Sequence, residues 1–152
     1  MSNSPDYTPL IQKNKTNLCR LNYLQTWLDS IELLGGKNMG KKETVFNDIV
    51  RKMRKEIFGK GPERIFTHFV ENMAVTIMYG ILTPTEKFII QSQEGNKVIH
   101  SARTQMIQDI YKQHVPEGME ELVGSKLLHL FSDAKTEEDM AVSVFIFEKP
   151  IV

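Results

Sequence analysis

A single cysteine, Cys19, stands in 152 residues, so no disulfide can form within the chain and nothing points to an oxidising compartment. Long apolar runs are missing too, since no stretch approaches the roughly 20 residues that a membrane-spanning helix needs. The N-terminus lacks a basic segment followed by an apolar core, the mark of a secretory signal, and the expected location is therefore cytoplasmic. Net charge is absent, with 19 basic residues against 19 acidic ones and a pI near 6.9, which weighs against a dedicated nucleic-acid binder. Metal and nucleophile patterns are absent as well. The four histidines make no HxxxH or HExxH spacing, and there is no CxxC, no GxSxG and no Gly-Lys-Ser/Thr phosphate loop. Neither a cofactor, a metal nor a catalytic residue is expected, and the chain reads as non-enzymatic.

What remains is ordinary globular material, 41% hydrophobic and 25% charged. A chain of this size can bury roughly two-thirds of its unfolded surface, enough for one domain without covalent staples. Residues 1–38 differ from the rest: a polar, proline-containing start, then an amphipathic stretch with Leu18, Leu21, Leu24, Leu28 and Ile31, broken at Gly35-Gly36. Gly35-Gly36-Lys37 can be encoded by a purine-rich sequence of ribosome-binding type, at a suitable distance before the Met39 codon. The expectation is that Met39 is the true start and that 1–38 is translated leader. The rival is a genuine helix packing on the domain or on a partner.

From 42 onwards the pattern is legible. Val45, Phe46, Ile49, Val50, Met53 and Ile57 form a helical stripe, with Asn47, Arg51, Arg54 and Lys55 expected off it. Gly59 and Pro62 end that helix. Two β-rich runs, 65–70 and 73–79, flank Glu71-Asn72 and predict a hairpin. Thr83-Pro84-Thr85-Glu86 is a capping-box start for a helix reaching about Gln93. Glu94-Gly95-Asn96 should break or kink it. A longer helix is expected over 97–114, burying Val98 or Ile99, Ala102, Met106, Ile110 and His114, followed by a further turn or two over 117–123 stopped by Gly124. Strands at 126–131 and 140–147 would close the domain around an acidic loop, 132–139. The order α-β-β-α-α-β-β predicts an α+β fold, a four-stranded, mainly antiparallel sheet with helices packed on one face, spanning 42–150.

Charge is unevenly placed. Residues 41–64 hold eight basic side chains against four acidic, and residues 117–148 hold eight acidic against Lys126 and Lys135. Arg51, Lys52, Arg54 and Lys55 form a candidate basic face for nucleic-acid phosphates, for anionic lipid headgroups, or simply for solvent. The Gly59-Lys60-Gly61 turn could present N–H groups and an ammonium to an anion, although it follows a helix C-terminus, whose dipole favours cations. Arg103, near the buried stripe, could pair with Asp133 or Glu86, or meet an anionic ligand or partner. A small-anion enzyme would need Lys60, Arg103 and Asp133 to converge in one pocket. Apolar strands, together with Phe145 and Phe147, suggest sheet surface that one helical layer leaves bare, and hence a homodimer.

Three runs carry a resemblance: Phe58-Gly59-Lys60-Gly61-Pro62-Glu63, then Gly80-Ile81-Leu82-Thr83-Pro84-Thr85-Glu86-Lys87-Phe88, and then Ala102-Arg103 followed by Gly124-Ser125-Lys126-Leu127 and Ser132-Asp133. Together, in order over about 42–150, they resemble the MpsC-like bacterial domain family. The resemblance implies a link to a membrane-potential-generating, cation-translocating system associated with sodium and inorganic-carbon uptake. It would make this chain an accessory or regulatory module with a membrane transport-system protein as partner, and it brings no catalytic residues to carry over.

Overall fold

The computed structural model describes residues 40–151, and the expectations for residues 1–38 and for the Met39 start lie outside them. Helix α1 spans Lys41–Phe58, β1 Arg64–Val70, β2 Met73–Tyr79, α2 Pro84–Ile89, α3 Gln93–Gln113, α4 Met119–Val123, β3 Leu127–Lys135 and β4 Met140–Phe147, with a 3-10 turn at Thr136–Glu138 between the last two strands. The four strands form one sheet in the order β1-β2-β4-β3, antiparallel throughout. The fold is α+β with the element order that the sequence predicts.

Local chemistry explains most boundaries. Gly59 ends α1 in the left-handed region at φ 77, and its N–H bonds the Lys55 carbonyl. In α2 the Thr83 hydroxyl accepts from the Glu86 N–H while the Glu86 carboxylate accepts from the Thr83 N–H, a complete capping box with Pro84 behind it. Residues 94–96 do not break a helix; the break falls between Ile89 and Gln93. They open α3, capped by the Ser92 hydroxyl on the Gly95 N–H. Gly95 is there for closeness, because a Cβ at this position would collide with the Ile89 carbonyl. Strand β3 runs through Ser132–Lys135, where the sequence suggested loop, because Ser132, Asp133, Ala134 and Lys135 pair with Ser143, Val142, Ala141 and Met140.

The core lies between the sheet and α1 with α3. Phe46 is fully buried and meets Phe69, Phe145 and Phe147 edge to face at 5.5, 5.2 and 6.4 Å. Tyr111 of α3 packs on Phe145 at 5.7 Å. Phe145 and Phe147 are 1% and 0% exposed, so they are core residues under the helices rather than bare sheet surface, contrary to the sequence-based expectation. The stripe on α3 is also displaced by one residue: Ile99, Arg103, Ile107 and Tyr111 are buried, while Val98 and Met106 are exposed.

Candidate functional site

The helix-covered face of the sheet carries a polar row. Thr67, Thr76, Ser143 and Ser132 stand side by side across β1, β2, β4 and β3. The Thr67 hydroxyl donates to Asn47 Oδ1 at 2.7 Å and lies 2.8 Å from the Thr76 hydroxyl. Ser132 and Ser143 are 2.8 Å apart, and Arg54 Nη2 donates to both, at 2.9 and 2.8 Å. Arg54 is 5% exposed and Asn47 is buried with it. Arg54 therefore leaves the basic face on which the sequence placed it. Arg51 is tied to Asp48 at 2.8 Å, and Lys52 and Lys55 are exposed. Burial pushes the Arg54 guanidinium down to about 10, Tyr111 nearby opposes this, and the Arg103 charge adds to it. Burial also raises the Tyr111 hydroxyl well above its ordinary range.

Arg103 is the second buried guanidinium, 3% exposed. It is held by Glu86 through Nε–Oε1 at 2.8 Å and Nη2–Oε2 at 2.6 Å, and it donates to the Ile81 carbonyl at 2.7 Å. Its cationic plane lies 4.1 Å from the centroid of Phe58. Burial alone would raise the Glu86 carboxyl, but the Arg103 hydrogen bonds and charge and the Thr83 contacts outweigh it and hold the group below its ordinary value.

The other sequence candidates are spread out. Lys60 pairs with Glu63 at 3.0 Å and donates to the Leu82 carbonyl at 3.0 Å, which fastens the Gly59-Lys60-Gly61 turn to the start of α2. Asp133 is exposed and lies 2.7 Å from His100 Nε2. Lys60 and Arg103 thus bond adjacent carbonyls, Leu82 and Ile81, while Asp133 is engaged elsewhere. Two open grooves border the helices. One of about 320 Å³ lies between α3 and β3 and is lined by Tyr111, Lys112, Val115, Leu128, His129 and Phe131. The other, about 350 Å³, is lined by Val45, Ile49 and Lys52 of α1 together with His114 and Glu117.

The opposite face of the sheet carries the apolar strand positions that the sequence suggested one helical layer would leave bare, with Phe145 and Phe147 not among them. Its rows are Val70-Met73-Ile146-His129, His68-Val75-Val144-Phe131, Phe66-Ile77-Val142-Asp133 and Arg64-Tyr79-Met140-Lys135. Every outward position on the two central strands is apolar. Both long helices meet the sheet on its other side, and this face is half-buried to exposed, with Phe131 at 61%. An antiparallel sheet with one face in water ordinarily alternates apolar with polar residues, so this face departs from that rule. The alternation within 140–147 was the available signal; which half of it faced the helices was not.

Residues 38–149 match the family model described as Na+-translocating membrane potential-generating system (MpsC). The chain is 61% identical over 113 residues to the uncharacterized protein YrhF of Bacillus subtilis (strain 168), covering 74% of this chain and 93% of that protein. It is 24% identical over 113 residues to the uncharacterized protein YbcI of the same organism, covering 72% and 87%. No solved structure matches. On the family match over most of its length and the identity to YrhF, this chain belongs to the MpsC family.

Proposed function

We propose that this chain is a non-enzymatic accessory module of a membrane cation- or inorganic-carbon-transport system, and that it works as a homodimer whose two sheets pack face to face. One observation carries the dimer: eight outward positions on β2 and β4 (Met73, Val75, Ile77, Tyr79, Met140, Val142, Val144 and Ile146) are all apolar. A four-stranded face of this strand length covers roughly 440 Å² in projection. Standing side chains enlarge the accessible area towards the ~800 Å² per partner of a standard interface. Polar groups (Arg64, His68, His129, Asp133 and Lys135) sit on the two edge strands, so the apolar band is central and suits a two-fold, self-complementary contact. The system-level reading is supported by the family description. Among the described residues no helix is long and apolar enough to cross a membrane, so these residues would act beside an ion pathway rather than form a helical one.

Light scattering coupled to gel filtration tests the dimer. The wild type should elute at twice the 17.5 kDa chain mass at tens of micromolar. Val144→Asp would bury two carboxylates near the two-fold axis and should weaken self-association at least ~100-fold, with an unchanged circular dichroism spectrum. A wild type that stays monomeric at 100 µM ends this reading. For the cellular role, a strain lacking the protein should show an altered sodium-dependent membrane potential with a potentiometric dye. Restoration should follow from the wild type but not from Val144→Asp, and an unaltered potential in the deletion strain would remove the transport assignment.

A further inference from the structure

Among the described residues two guanidiniums are buried, Arg54 and Arg103, and one of the two is paired with a carboxylate. Arg103 is matched by Glu86 at 2.6 Å. Arg54, equally buried, meets no carboxylate among the described residues; it donates to two neutral hydroxyls, Ser132 and Ser143, and lies 5.9 Å from the centroid of the Phe58 ring. Its Nε is buried with no hydrogen-bond partner, and the same holds for the Tyr111 hydroxyl and Thr104 Oγ1. A lone buried cation is costly, and each orphaned polar atom adds to the cost. Native structures rarely leave such groups unmet, and a cluster of them calls for an unplaced partner.

Arg54 and Tyr111 belong together: Tyr111 packs on Phe145 at 5.7 Å, and Phe145 stands two residues along β4 from the Ser143 that accepts from Arg54. Thr104 lies two turns, about 10 Å, before Tyr111 on α3 and is set apart from the pair. Tyr111 also lines the 320 Å³ groove between α3 and β3, whereas Arg54, Ser132 and Ser143 do not. The unmet groups are a guanidinium N–H and hydroxyls able to donate, and the residual charge is positive. That combination selects an anion with several acceptor oxygens over a cation or an apolar molecule.

The geometry points to a small-oxyanion site between α1, α3 and the sheet, in which Arg54 supplies the charge and Tyr111, with Ser132 and Ser143, supplies hydroxyl donors. Arg54 stays charged at neutral pH, and Tyr111 stays protonated and so remains a donor. The ligand class is a small oxyanion, planar (bicarbonate, nitrate) or tetrahedral (phosphate, sulfate). This inference is independent of the dimer: it concerns the covered side of the sheet, and its readout is ligand-dependent stability rather than mass.

Thermal denaturation of the full chain in potassium bicarbonate, nitrate, phosphate or sulfate, each against chloride at equal ionic strength, tests it. At least one oxyanion should raise the melting temperature in a saturable way, by about 5 °C once it stands ten-fold above its Kd. Tyr111→Phe removes only an orphaned hydroxyl, so it should fold normally and lose most of that increment, and Arg54→Met should lose all of it. Sulfate and phosphate also stabilise proteins by exclusion from the surface, and an increment retained in both variants is that general effect and overturns the proposal. A wild type with the same melting temperature in every anion likewise overturns it, leaving buried water as the partner of these groups.

Discussion

Glu86 joins two structural devices, and replacing it with glutamine separates what each contributes. Its carboxylate takes two charge-assisted hydrogen bonds from Arg103, at 2.8 and 2.6 Å, and closes the α2 capping box on the Thr83 N–H at 2.8 Å. In Glu86→Gln the amide oxygen can still serve the cap, but the guanidinium of Arg103 loses its counter-charge inside the fold. Removing one partner from a fully buried pair costs about 3–5 kcal/mol. Here Arg103 is 4% exposed and Glu86 16% at the side chain, so solvent reaches one partner and the expected loss is smaller, about 2–3 kcal/mol. For a domain of this size that is roughly a 10 °C fall in melting temperature.

The pH dependence supplies the control. The folded-state pKa of Glu86 lies below its ordinary 4.5, so its contribution is fully present above that value and is lost as pH falls through the folded pKa. Urea titrations at pH 7 and between pH 5 and 3 should therefore show wild type and Glu86→Gln far apart at neutral pH and converging in acid. A variant within about 0.5 kcal/mol of wild type at pH 7, or a gap that stays constant down to pH 3, would refute the role assigned to this pair.

Three further outcomes are expected. Phe46→Ala should cost about 3–5 kcal/mol in urea denaturation, because the ring is fully buried among Phe69, Phe145 and Phe147. Thr83→Ala should cost about 1 kcal/mol and loosen α2, read by faster amide exchange over 85–90, because it leaves the Glu86 N–H without its cap. Val144→Asp should lower oligomer mass without the stability loss of Phe46→Ala, since Val144 points to the outer face.

Both arginines show where sequence reading reached its limit. On α3, residues 98, 102, 106 and 110 form one helical stripe and residues 99, 103, 107 and 111 form its neighbour, and hydropathy favours the first. The second is buried because Arg103 arrives with Glu86, the Ile81 carbonyl and the Phe58 ring already placed to receive it. On α1, Asn47 and Arg54 are seven residues apart and read as solvent-facing, yet a row of hydroxyls from four separate strands meets them. Small hydroxyl residues at inward strand positions, Thr67, Thr76, Ser132 and Ser143, were the available clue. Their alignment in one row depends on strand order and register.

Locally coded features were determined by the sequence alone. These include the Thr83 capping box, the Gly59 and Gly124 helix stops, the two-residue turn at Glu71-Asn72, and the succession of helices and strands. Each depends on backbone preferences and hydrogen bonds within a few residues. The tertiary structure alone decided which side of β4 faces the helices, which buried cation lacks a counter-charge, and that eight apolar side chains of two strands share the face turned away from the long helices. Those properties depend on contacts between segments as far as 89 residues apart, such as Arg54 with Ser143, and side-chain periodicity carries no information about which distant partner a face will meet.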